Sequence, residues 1–128
     1  MRSPRRILVI DDDPGIREFL SMVLMDEGYS LAVAEDGIVA LSLLENFQPH
    51  LIFLDMLMPG MDGQHFLETY HTKFPDIPII ASSASMAAEK FAQTLGVADF
   101  LAKPFNLDDF FTLLHKHLPS EQHGGIRS

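Results

Sequence analysis

Six positions in this chain pair a reactive side chain with the end of a short apolar run. Asp11 and Asp12 come directly after Ile7-Leu8-Val9-Ile10, and Asp55 directly after Leu51-Ile52-Phe53-Leu54. Ser82-Ser83 close the run that begins at Ile77, and Lys103 follows Asp99 to Ala102. If the first and third runs are neighbouring strands, the three aspartates form one cluster. Crowded carboxylates repel unless a cation or a proton compensates them. Lys103 supplies one positive charge and a divalent ion would supply the rest. An all-oxygen ligand set selects a hard cation. Few carboxylates with room for water suit Mg²⁺, with Mn²⁺ as a possible substitute. Mg²⁺, a lysine and a hydroxyl around one further carboxylate make a site for phosphoryl transfer, where positioning and charge neutralisation do most of the catalysis.

These residues need elements that bring them to one place. Ile7 to Ile10 is continuous and β-branched, as in a strand buried on both faces. Asp13 then reads as an N-cap, with Pro14 at the first helical position. Ile16, Phe19, Leu20, Val23 and Leu24 follow at helical spacing and predict a stripe facing a core, ended by Gly28. Leu31 to Ala34 reads as a weaker strand and Asp36-Gly37 as a turn. Val39, Ala40, Leu43, Leu44 and Phe47 give a second helix, stopped before Pro49. Leu51 to Leu54 is a buried strand ending on Asp55, and Pro59 to Gly63 is a loop rich in breakers. Phe66, Leu67 and Tyr70 mark a third helix, ended near Phe74-Pro75. Ile77 to Ala81 is a fourth strand, Ala87 to Leu95 a short helix stopped at Gly96, and Asp99 to Ala102 a fifth strand. A last helix carries Phe110, Phe111, Leu113 and Leu114, with Asn106 as its N-cap. Five strands alternating with five helices predict an α/β fold, a doubly wound parallel sheet with helices on both faces and right-handed crossovers. In such a sheet, ligands bind outside the carboxyl ends of the strands, where all six positions fall.

Composition narrows the field. The chain has 128 residues, which suits one domain. It has no cysteine, so disulfides, thiolate zinc sites, iron–sulfur clusters and thiol nucleophiles are excluded. Nine Lys and Arg stand against eighteen Asp and Glu, for a net charge of −9. That charge argues against direct nucleic-acid binding and against docking on an anionic membrane. No apolar run approaches the roughly 18 residues of a membrane span, and the run behind Arg5-Arg6 falls short of the about 7–15 apolar residues of a signal peptide. A cytoplasmic location is expected. Residues 1–118 are expected to form the domain, and 119–128 a flexible tail or the start of a linker.

In this order, Ile7 to Pro14 (ILVIDDDP), Leu51 to Gly63 (LIFLDMLMPGMDG), Ser83-Ala84 and Lys103-Pro104-Phe105 resemble the receiver domain of two-component response regulators. The resemblance covers about residues 5 to 118. It implies a flavodoxin-like sheet of strand order 2-1-3-4-5, of which a receiver protein is a known example. It implies a phosphorylation-dependent signalling switch that works with a sensor histidine kinase or a histidine phosphotransfer protein. Asp55 would accept the phosphoryl group from a phosphohistidine. Asp11, Asp12, Asp55 and the backbone carbonyl of Leu57 would hold Mg²⁺. Lys103 would pair with Asp55 and then with the phosphoryl oxygens. Ser83 would hydrogen-bond the phosphoryl group, and Phe100 would be the aromatic that turns inward with it. The Lys103-Pro104 bond would be cis. A downstream effector would use the face built from the fourth helix, fifth strand and fifth helix. The segment from Ser83 to Lys103 is about two residues shorter than the common family pattern, so the fourth helix or the loop before it is expected to be trimmed.

Such a domain assists its own modification and is not a turnover enzyme. Two alternatives have the same architecture. A dehalogenase-like phosphatase also uses an aspartate nucleophile, Mg²⁺ and a lysine, but needs an acid two positions after the nucleophile, where Leu57 stands. A phosphorylation-independent adaptor would not need the full set of Asp11, Asp12, Asp55, Ser83 and Lys103. The six histidines share no ligand spacing, and His50, His65 and His71 read as surface residues. Leu57 and Ser85 would flank the path of a hydrolytic water. An apolar Leu57 cannot orient that water, which predicts slow self-hydrolysis.

Overall fold

The computed structural model describes residues 4–57 and 62–118. Five parallel strands form one sheet in the order β2-β1-β3-β4-β5. They are β1 (Arg6–Ile10), β2 (Ser30–Ala34), β3 (Leu51–Asp55), β4 (Ile79–Ser83) and β5 (Asp99–Ala102). The helices between and after them are α1 (Pro14–Asp26), α2 (Gly37–Leu44), α3 (Gly63–Lys73), α4 (Met86–Thr94) and α5 (Leu107–His117). The expected doubly wound fold is therefore present. Met58 to Met61 and the tail from 119 to 128 lie outside the described residues, and with them most of the breaker-rich loop.

The period of two along the central strands divides the core. Leu8 and Ile10 of β1 and Ile52 and Leu54 of β3 pack on one face with Ala40 and Leu44 of α2 and Phe66, Leu67 and Tyr70 of α3. Ile7, Val9, Leu51 and Phe53 pack on the other with Leu20 and Leu24 of α1 and Phe110 and Leu114 of α5. Because both faces are covered, all five residues of β3 are buried, which is why its sequence is continuous rather than alternating. Phe53 meets Phe105 and Phe110 edge to face, with ring centroids 5.7 and 5.4 Å apart. This clasp seats α5 on the sheet.

Helix starts were set by short polar side chains. Asp13 accepts from the Gly15 amide at 2.8 Å and Asn106 from the Asp109 amide at 2.8 Å, as expected of N-caps. The Asp36-Gly37 turn is itself a cap, because Asp36 accepts from the Val39 amide at 2.9 Å and Gly37 opens α2. Gly28 and Gly96 follow α1 and α4 with φ of 94° and 82°, conformations that only glycine adopts readily.

Three expectations are corrected. β4 begins at Ile79 rather than Ile77 and runs to Ser83, with Ser82 and Ser83 closing it as buried members of the ladder despite being polar. Phe19 is 46% exposed and Val39 37% exposed, so neither belongs to a core stripe. His50 is half-buried, and its Nδ1 accepts from the Arg6 amide at 2.9 Å, capping the start of β1. His65 and His71 are exposed.

Candidate functional site

Every strand ends at the same rim, and register decides which side chains meet there. β1 pairs with β3 through Ile10 and Leu54, so the next residues, Asp11 and Asp55, are neighbours. Asp55 pairs with Ser82 of β4, and Ser83 with Ala102 of β5, the residue before Lys103. One carboxylate oxygen from each of Asp11, Asp12 and Asp55 lies within 4.8 Å of the others. Asp11 and Asp55 are buried and Asp12 is exposed, so the cluster opens to solvent on the Asp12 side.

Lys103 is the cation of the cluster. Its Nζ donates to Asp11 Oδ2 at 2.9 Å and stands 3.6 Å from Asp55 Oδ2. The hydrogen bond thus goes to Asp11, with Asp55 at longer range, a preference that depends on three-dimensional placement. Burial alone would lower the Lys103 pKa, but the Asp11 hydrogen bond and the charges of Asp11 and Asp55 hold it above the ordinary value. Asp55 is raised to about 6, first by burial and further by Asp11 and Asp12, against the lowering effects of the Leu57 amide and Lys103. The Leu57 amide donates to Asp55 Oδ1 at 3.2 Å.

The three serines separate cleanly. Ser82 Oγ donates to the Leu101 carbonyl at 2.7 Å and is fully buried. Ser83 Oγ accepts from the Ser85 amide at 3.1 Å, so its proton remains to be donated elsewhere. The Ser83 carbonyl accepts from the Lys103 amide at 3.0 Å, which ties the ends of β4 and β5 together. Phe100 is half-buried in β5 and packs against the cluster on the α2–α3–α4 side. The Lys103-Pro104 peptide is cis.

Beside Lys103, exposed Phe19 joins Ile16, Ala84, Pro104 and Phe105 around an open groove of about 360 Å³. One participant is absent from the sequence-level set. Arg17 of α1 donates from Nη1 to the Asp11 carbonyl at 2.7 Å. Its signal in the sequence is a cation in the first turn of a helix, where the positive end of the dipole disfavours it.

A doubly wound sheet with clustered acids, a lysine and a serine at its carboxyl rim defines the architecture. The model of the response regulator receiver domain matches residues 7–115. The chain belongs to that family, the receiver domain of two-component systems. It is 36% identical over 124 residues to the response regulator MprA of Mycobacterium sp. (strain KMS), covering 92% of this chain and 54% of that protein. The chain thus spans about half the length of the curated relatives it matches. Among solved structures, it resembles a CheY-like receiver domain protein from Methanospirillum hungatei (TM-score 0.84, 28% identity, 96% of this chain and 100% of the other). It also resembles the response regulator TrrA of Thermotoga maritima in complex with Mg²⁺ and BeF (TM-score 0.80, 33% identity, 89% and 99% covered). Among the described residues, no helix is long and apolar enough to cross a membrane.

Proposed function

We propose that this domain, residues 1–118, is a cytoplasmic switch that takes a phosphoryl group onto Asp55 from a phosphohistidine of a sensor histidine kinase or phosphotransfer protein. The observation that carries this reading is the meeting of three carboxylates within 4.8 Å, with the Lys103 ammonium between Asp11 and Asp55. The donor set fits Mg²⁺: all ligands are oxygen, one side is open, and burial, with Asp11 and Asp12 beside it, raises the Asp55 pKa to about 6. Asp11, Asp12, Asp55 and the Leu57 carbonyl would hold the ion, which when bound supplies positive charge to the phosphoryl oxygens. The likeness to the Thermotoga maritima protein in complex with Mg²⁺ and BeF supports the same choice.

Asp55 must be ionised to attack. Its carboxylate oxygen bonds to phosphorus as the bond to the donor imidazole nitrogen breaks, and the imidazole leaves neutral after taking a proton. Lys103 moves its charge from the carboxylates to the transferred group. Ser83 donates its unspent proton to a phosphoryl oxygen. Phe100, three residues before Lys103 on the same strand, turns inward as Ser83 moves. The change is read by an effector at the α4–β5–α5 face, with no nucleic acid or membrane contacted by this domain. The domain is modified once and is not a turnover catalyst.

The test is acetyl phosphate with Mg²⁺, read by intact mass. Wild type should gain one phosphoryl group and Asp55→Asn none. Gain by the variant, or multiple turnover of a generic phosphate ester by wild type, would overturn the reading.

A further inference from the structure

We propose that Arg17 is a positioning residue for the cation pocket: by holding the Asp11 carbonyl, it fixes the arch that presents the Asp12 carboxylate. This rests on the reading of Asp11, Asp12 and Asp55 as ion-holding groups.

Asp11 is fully buried, and each of its polar groups is held by a different part of the chain. Its amide donates to the Ala34 carbonyl of β2 at 3.1 Å. Oδ1 accepts from the Asp13 amide at 2.9 Å and Oδ2 from Lys103 at 2.9 Å. Its carbonyl lies one residue beyond the end of β1, and its donor is the Arg17 guanidinium at 2.7 Å. Without Arg17 that buried carbonyl loses this charged donor. The peptide that carries this carbonyl leads directly to Asp12. Asp12 is the exposed member of the cluster, and its backbone lies between the peptide that Arg17 holds and the Asp13 amide that donates to Asp11 Oδ1.

The position of Arg17 supports a specific role. It is the fourth residue of α1, a helix with no acidic residue in its first turn. The helix dipole disfavours a cation there. A positive charge near a dication site also weakens ion binding on Coulomb grounds. Charge and positioning therefore predict opposite signs when Arg17 is removed.

The experiment measures Mn²⁺ affinity of the full chain, without phosphodonor, from the EPR signal of free Mn²⁺. Arg17→Met, which keeps length but removes donor and charge, should bind Mn²⁺ about tenfold or more weakly, in the range seen for residues behind a ligand. Arg17→Lys should recover most of the loss. In an Asp12→Asn background, Arg17→Met should weaken binding much less, because the carboxylate it positions is gone. Equal or tighter Mn²⁺ binding by Arg17→Met overturns the inference. So does a full tenfold loss in the Asp12→Asn background, which would mark a general structural role. If Arg17→Met does not fold, Arg17→Leu, which also removes donor and charge, gives the same comparison. Failure of wild type to bind Mn²⁺ would instead overturn the ion-pocket reading on which this rests.

Discussion

With a folded-state pKa of about 6 against an ordinary 3.8, Asp55 keeps a proton in the folded chain that the unfolded chain has already lost. The sign follows from linkage. A raised folded pKa contributes stability that is complete below 3.8 and is lost as pH rises through about 6. In EDTA at pH 7.5, Asp55→Asn should therefore be more stable than wild type by roughly 3 kcal/mol. At pH 3.5 the two should unfold alike, and Mg²⁺ at pH 7.5 should close the gap by stabilising wild type alone. Denaturant unfolding at both pH values decides this; a constant difference would mean that Asp55 is not the strained acid. Leu57 supports a second prediction. It is 58% exposed next to Asp55 and offers no hydrogen bond from its side chain. Leu57→Asn should shorten the phosphoryl half-life severalfold, and an unchanged half-life of seconds would remove Leu57 from the hydrolytic path.

Among the elements, the start of α3 is the tightest constraint on the site. A Cβ on Gly63 would lie 2.6 Å from Met56 Sδ and 2.8 Å from Met56 Cα, and Met56 follows Asp55 in the chain. Gly63→Ala should destabilise the fold by about 1–3 kcal/mol through overpacking and should also lower the phosphorylation rate, as measured by melting and mass. Much of the element order was legible. β1 and β3 are uninterrupted apolar runs whose acid termini mark their ends, and Asp13 and Asn106 are caps with an obvious mechanism. β4 was misplaced only at its start, since the apolar run from Ile77 continues ahead of the first paired residue, Ile79; the partner that buries Ser82, the Leu101 carbonyl, lies nineteen residues away and was not legible. Phe19 was misread because helical spacing gives the direction of a side chain and not the depth of what covers it. The site was legible as a set of residues, since each closes a strand. The preference of Lys103 for Asp11 and the reach of Arg17 were not, because both depend on how the β1–α1 turn folds back.

At the scale of the whole molecule, the proposed switch links the rim to a surface built from β5 and two helices. Beryllofluoride with Mg²⁺ should change amide-exchange protection in α4, β5 and α5, and Ser83→Ala should reduce that change. Unchanged protection in wild type would separate the rim from that face. A different consequence follows from the parallel sheet itself. Because every strand runs one way, all five helices begin at the rim, with the positive ends of their peptide dipoles toward it. A phosphate ester therefore meets two fields. Far away it is repelled by the net charge of −9. Within a helical turn of the rim it is attracted by aligned peptide dipoles and Lys103. Dissolved salt mutes the distant field more than the near one, since screening grows with distance. Raising ionic strength should thus speed, not slow, the labelling of this protein by small anionic donors.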